Sequence, residues 1–271
     1  MSSTLDIMHT TARRLDLAYR AKGHGPTLVL LHAFPFNQDM WEPQLEGLSD
    51  VAHVITLDLP GFGASQTTDG DFSLDTMAEI VHDFVRHLGH ERVVLGGLSM
   101  GGYIALAYAR KYPAHLQGLI LADTRANADT PEARKRRLEQ IQEINQFGLL
   151  GLSESMPHKV LTPATAVKRP ALLKELGGHI AASNVMAVTG ALEAMANRPD
   201  AMDVLPGIHV PTLVIVGEGD ELTPPTAAQE MVDHLPNGKL VSLPGAGHMS
   251  NLEAPEAFNQ AVADFMRQFT R

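Results

Sequence analysis

Residues Arg92 to Tyr112 read RVVLGGLSMGGYIALAYARKY. A near-continuous apolar run, RVVLGGL, ends at Leu98, and a helical pattern, YIALAYARKY, begins at Tyr103. Between them stands Gly97-Leu98-Ser99-Met100-Gly101-Gly102. A Gly-x-Ser-x-Gly sequence is informative where a strand runs into a helix, as it does here. So tight a turn needs small neighbours, hence glycine two residues before and two after the serine, and its strain lifts the hydroxyl above the sheet edge. With 23 glycines in the chain, shuffling would give the five-residue pattern in roughly one chain in twelve. The remaining parts of a site must therefore be found elsewhere.

Working outward, Thr27 to Ala33 (TLVLLHA), Val54 to Leu59, Gly118 to Asp123 and Thr212 to Gly217 (TLVIVG) are further apolar runs, with a shorter one at Lys239 to Leu243. Such runs suit parallel strands buried on both faces. Arg13 to Arg20 alternates apolar and polar residues, as a half-buried strand does. Helical patterns cover Leu74 to Leu88 (with Ser73 as N-cap), Met100 to Tyr112, Pro224 to Leu235 and Ala254 to Phe269. The alternation predicts an α/β fold with a mostly parallel central sheet flanked by helices. It breaks after Asp123, where Pro131 to Phe147 and His179 to Ala196 read as helices and no strand is convincing. The expectation is a helical lid over residues 125–190, inserted in a core of residues 1–124 and 191–271.

A serine hydroxyl is a poor nucleophile until a base takes its proton, so a histidine and an orienting acid should follow. In a sheet of this type the chain order is Ser, then Asp or Glu, then His. Asp220 stands in GEGDELTPP, just past the run TLVIVG, and His248 stands in PGAGHMSN, after the run KLVSL. Each lies where a loop leaves a strand's carboxyl end. An oxyanion would need two convergent backbone N–H groups. Met100, next to the serine at a helix N-terminus, is one candidate, and Phe34 in His32-Ala33-Phe34-Pro35 is the other.

With these parts together, the whole chain resembles the α/β-hydrolase superfamily. The resemblance rests on HAFP (32–35), DLPGFGAS (58–65), GLSMGG (97–102), GEGDELTPP (217–225) and GAGHMSNLEAPEAF (245–258). Within it the chain is similar to small bacterial carboxylesterases, with 3-oxoadipate enol-lactonases and cofactor-free haloperoxidase-type esterases as near relatives. The resemblance implies Ser99, Asp220 and His248 as the triad, and hydrolysis of an ester of small to medium acyl chain without a cofactor. A lactonase, a perhydrolase or acyltransferase, and a C–C bond hydrolase use the same triad. The dehalogenase and epoxide-hydrolase branches carry an aspartate where this chain has Ser99. Two positions depart from a simple reading. Ala33 stands where the common pattern has glycine, and Asp123 competes with Asp220 because some relatives carry their acid after that strand.

Composition narrows the classes. Of 271 residues, 21 are Lys or Arg and 31 Asp or Glu, a net charge of −10, which argues against non-specific nucleic-acid binding or an anionic membrane surface. The chain has no cysteine, which removes disulfides and thiolate chemistry. The first residues lack the layout of a signal peptide, and no apolar run is long enough to cross a bilayer. A cytoplasmic enzyme acting on a small ester or lactone is expected. His82, His87 and His90 do not share one helix face, so no metal site is expected. Arg134 to Arg137 reads first as a solvated helix face, and otherwise as a site for an acidic substrate or partner. His32 and Asp58 read as structural. Met100, Met156, Met186, Met195 and Trp41 are candidates to line an apolar pocket, Met100 foremost because it adjoins Ser99.

Overall fold

The computed structural model describes residues 6–68 and 72–270. Residues 1–5, part of the stretch read for a leader, lie outside the described residues. Eight strands form one sheet: β1 (Met8–Ala12), β2 (Leu15–Lys22), β3 (Thr27–Leu31), β4 (His53–Leu57), β5 (Val93–Leu98), β6 (Leu116–Ala122), β7 (Thr212–Gly217) and β8 (Gly238–Leu243). Their spatial order is β1-β2-β4-β3-β5-β6-β7-β8. β2 pairs antiparallel with both β1 and β4, and every pairing from β4 to β8 is parallel. β3, β5 and β7 are buried at every position, which is why they read as unbroken apolar runs. β1 carries no such signal. It is an exposed edge strand joined to β2 through Arg13 and Arg14, both at positive φ (51° and 65°). Two-residue hairpins of that geometry usually announce themselves as Asn-Gly. Here Arg13 is instead anchored by ion pairs to Glu79 and Asp83 at 2.5 and 2.6 Å.

The flanking helices are α1 (Glu42–Gly47), α2 (Leu74–His87) and α3 (Met100–Lys111), then α4 to α8 between β6 and β7, and α9 (Pro225–His234), α10 (Ser250–Glu253) and α11 (Pro255–Met266). α1 packs on α11 and α2 on α3, with α3 also lying on β5, β6 and β3. Ser73 caps α2 by accepting the Thr76 N–H at 3.1 Å.

The five helices between β6 and β7 are α4 (Pro131–Phe147), α5 (Leu150–Val160), α6 (Pro163–Lys168), α7 (Pro170–Ala181) and α8 (Val185–Ala196). The prolines that look like punctuation in the sequence open helices, since Pro163 and Pro170 sit at first helical positions, where the missing N–H costs nothing. The single helix expected over 179–196 is two helices. Asn184 accepts the N–H groups of Met186 and Ala187 at 2.8 and 3.2 Å, so its side chain starts α8 afresh.

Two buried polar residues fix the loops at the carboxyl edge. His32 is wholly buried; its Nδ1 donates to the Ala33 carbonyl at 3.0 Å and its Nε2 accepts the Leu59 N–H at 3.0 Å, tying the end of β3 to the end of β4. The Asp58 carboxylate accepts from the Gln38 backbone and side chain and from Ala64, at 2.8 to 2.9 Å. A Cβ on Gly63 would stand 2.2 Å from that carboxylate, which accounts for the second glycine of LPGFG. Both residues are structural, as the sequence suggests.

Burial lowers the His32 pKa to about 4, only partly opposed by its bond to Ala33. The unfolded chain binds a proton at a pH where the folded chain does not, so this residue's contribution is complete above about pH 6.5 and fades toward pH 4. Relative to His32→Gln, the wild type should lose about 3 kcal/mol of stability between pH 7 and pH 4. Urea unfolding of both proteins across that range checks it. A difference that stays flat would mean the ring is not buried neutral.

Candidate active site

Ser99 sits between β5 and α3 with φ 54° and ψ −113°, a strained conformation for a residue with a side chain. Close backbone approach holds it there. A Cβ on Gly97 would lie 2.1 Å from the Gly101 carbonyl oxygen, and one on Gly101 would lie 2.2 Å from that of Leu31. A Cβ on Gly102 would meet the Thr124 hydroxyl at 2.5 Å. These contacts explain the glycine spacing atom by atom. The serine's own backbone is fixed on both sides: its N–H donates to the Ala122 carbonyl at 3.0 Å, and its carbonyl accepts the Thr124 hydroxyl at 2.8 Å.

His248 and Asp220 meet on loops that leave β8 and β7. His248 Nδ1 and Asp220 Oδ2 are 2.9 Å apart, with both side chains at 5% exposure or less. The aspartate is held by its own loop: Oδ1 accepts the N–H groups of Leu222 and Thr223 at 2.8 and 2.9 Å, and Oδ2 accepts the Thr223 hydroxyl at 2.5 Å. Burial alone would push this carboxyl up. The hydrogen bond and charge of His248, with the bonds from Thr223, outweigh that and hold it below the usual carboxylate range. Thr223 was not singled out in the sequence, although an acid followed three residues later by threonine is a recognisable turn signal. Glu253 was also missed. Its carboxylate accepts from Gly247 N–H, Thr162 N–H and the Thr162 hydroxyl at 2.8 to 2.9 Å, clamping the histidine loop to the α5–α6 junction.

Asp123, the rival acid, has no bond to His248. It is fully buried at a φ of 42°, with Oδ1 accepting the Gly217 N–H at 2.8 Å and Oδ2 bonded to the Ser250 hydroxyl. Burial, and then the nearby Asp220 charge, push its carboxyl well above the usual range. Two neighbouring carboxyls are thus driven in opposite directions, Asp220 toward its ionised form and Asp123 toward its neutral one.

Ser99 and His248 line one cavity of about 260 Å³, together with Phe34, Tyr103, Met156 and Met195. The Phe34 N–H has no hydrogen-bond partner among the described residues, and the Met100 N–H is the first of the orphan donors at the α3 N-terminus. Both are available to an anion. The Met100 side chain does not reach the cavity. It is absent from the cavity lining and belongs to the hydrophobic core, 2% exposed. Trp41 is likewise core, 5.9 Å from the Phe258 ring, and Met186 is largely exposed. Among the described residues no group of three His, Asp or Glu side chains is arranged to hold a metal ion.

Comparison with known proteins agrees with this architecture. The family model for the alpha/beta hydrolase fold matches residues 26–255. A thermophilic esterase from Thermogutta terrifontis superposes with a TM-score of 0.93 at 36% identity, over 98% of this chain and all of that one. The chain is 29% identical to 3-oxoadipate enol-lactonase 2 of Acinetobacter baylyi, over 96% of each. It is 32% identical to a pimeloyl-[acyl-carrier protein] methyl ester esterase of Nitrosomonas europaea, over 87% of this chain and 94% of that one. With an eight-stranded sheet, the serine on its strand–helix turn and a family match across most of its length, the chain belongs to the alpha/beta hydrolase family.

Proposed function

We propose that the chain is a carboxylesterase-type serine hydrolase that cleaves esters of small to medium acyl chain through an acyl-enzyme on Ser99. The observation that carries this reading is the Asp220–His248 bond of 2.9 Å beside a cavity shared by His248 and Ser99. Because Nδ1 faces Asp220, the imidazole offers Nε2 as the base. His248 takes the Ser99 proton as the serine oxygen attacks the carbonyl carbon, and the tetrahedral oxyanion is met by the N–H groups of Phe34 and Met100. His248 then protonates the departing alcohol. Water, deprotonated by the same histidine, attacks the acyl-enzyme and releases the acid. Asp220 stays ionised throughout and stabilises the imidazolium. No cofactor enters the cycle.

Residues 125–190, which take in α4 to α7 and the start of α8, act as the lid. The substrate enters between them and the carboxyl edge of the sheet, and Met156 and Val160 of the lid, with Met195 beyond it, supply the apolar wall. A cavity of 260 Å³ lies at the small end of ligand pockets, roughly 300 Å³ upward, which favours short acyl groups. A lactonase is the second reading, supported by similarity to the enol-lactonase of Acinetobacter baylyi and, at 26% identity and a TM-score of 0.90, to that of Burkholderia xenovorans. The chemistry is the same, with the leaving alcohol tethered to the acyl group.

Initial rates on p-nitrophenyl acetate, butyrate, octanoate and palmitate should peak at the short esters, and Ser99→Ala should lose on the order of 10⁴-fold or more while unfolding at the wild-type midpoint. Retained turnover in that variant would move the nucleophile elsewhere. In the same assay Asp220→Asn should cost on the order of 10³- to 10⁴-fold, far more than Asp123→Asn. The reverse ranking would reassign the orienting acid.

A further inference from the structure

The cavity above Ser99 is cationic in an acidic protein. The chain carries a net charge of −10, yet Arg125, Arg137 and Lys159 line this cavity against one carboxylate, Asp129. That carboxylate is fully engaged. Its two oxygens accept from Arg137 Nε and from Arg198, each at 2.6 Å, and its side chain is 5% exposed. Burial alone would raise the Asp129 carboxyl; the two guanidinium groups outweigh that and hold it low. Arg198 is buried behind the cavity wall, 4.2 Å over the Tyr103 ring. Both Asp129 oxygens are therefore taken, and the trio of two guanidinium groups and one carboxylate still carries a positive charge.

Arg125 and Lys159 are different, because among the described residues neither has an acidic partner. Arg125 donates to the Leu222 carbonyl, on the loop that holds Asp220, and its Nε is buried without a partner. Lys159 precedes Val160, whose carbonyl accepts the Met249 N–H next to His248 at 3.1 Å. Arg125 through its guanidinium, and Lys159 through the carbonyl of the residue that follows it, are thus each placed beside one loop of the Asp220–His248 pair. The wider hollow outside, about 630 Å³, shares Arg125, Arg137 and Lys159 but adds Arg136 with Glu139, Glu143 and Glu221. The positive excess belongs to the inner cavity and is offset at its mouth, a pattern suited to one small anion and unsuited to a long polyanion.

Resting on the reading of Ser99 as an ester-cleaving nucleophile, we propose that the substrate carries a free carboxylate besides its ester. Arg125 and Lys159 bind that carboxylate and so select monoesters of short dicarboxylic acids. Arg125 offers the fork geometry that carboxylates favour, and Lys159 adds a point charge from the lid. The apolar wall of Phe34, Met156 and Met195 takes the methylene chain between the two ends. Hydrolysis of such a half-ester consumes one water and releases the dicarboxylate and the alcohol.

The test compares monomethyl glutarate with dimethyl glutarate, which share a skeleton and differ by one masked charge. Initial rates are followed by alkali uptake for the wild type, Lys159→Gln and Arg125→Gln. The wild type should prefer the half-ester by at least tenfold in kcat/KM per ester group, and each variant should reduce that ratio at least tenfold, through KM. Lys159 is exposed, so its variant keeps the fold even if Arg125→Gln loosens the Asp220 loop. A wild-type ratio of one or less, or one unchanged by Lys159→Gln, overturns the proposal. If neither ester is turned over, the hydrolase reading fails, and calorimetric titration of glutarate into Ser99→Ala still decides the subsite. Binding weakened at least tenfold by adding Lys159→Gln supports it. Absent binding, or binding equal in both proteins, overturns it.

Discussion

The backbone of Ser99 is the constraint on which the rest of the site depends. A φ of 54° with ψ of −113° costs on the order of 1–3 kcal/mol for a residue with a side chain, and only an over-determined surround maintains it. That surround is β5 on one side, α3 on the other, and three glycines whose absent Cβ atoms let two backbone segments and the Thr124 side chain approach within distances no side chain would permit. β6 contributes as well, since Ala122 and Thr124 hold the serine's N–H and carbonyl. The sheet thus positions the hydroxyl without any flexible element, and the orphan N–H of Met100 comes with the helix it opens.

The second ordering principle is electrostatic. Three carboxylates are buried at or near the carboxyl edge, and each environment gives a different state. Asp220 is kept ionised by His248 and Thr223, Asp123 is pushed toward its neutral form by burial and by Asp220, and Asp58 is turned into a loop anchor by three N–H donors. Burial also pushes Asp58 up, against those hydrogen bonds. Residue type alone does not distinguish these roles; hydrogen-bond partners do. The same holds for the arginines, since Arg137 and Arg198 are neutralised in part by Asp129 whereas Arg125 is not.

The α/β architecture was legible because parallel strands buried on both faces leave unbroken apolar runs, and because the serine turn has a fixed glycine spacing. β1 was not legible, since its hairpin uses Arg13-Arg14 and is stabilised by ion pairs reaching α2 from sixty or more residues away. The helical segment between β6 and β7 was visible as helical, but its division was not, because prolines that begin helices and prolines that end them look alike in sequence. Ser99, Asp220 and His248 could be picked out by chain order and strand exits. Thr223 lies three residues from Asp220 and left a local turn signal, whereas Glu253 and the charged lining could not be read, as their roles arise from contacts between segments far apart in the chain. Met100 shows the opposite error. Adjacency to Ser99 fixes where its N–H points and says nothing about its side chain.

The most direct measurement is intact mass spectrometry after incubation with a fluorophosphonate, which traps a serine only where a base, a nucleophile and an oxyanion hole act together. The expected result is a single adduct that peptide mapping assigns to Ser99, absent in Ser99→Ala and formed far more slowly in Asp220→Asn. A folded protein with no adduct, or one modified at another serine, would contradict the assignment of Ser99 as a nucleophile activated by His248 and Asp220.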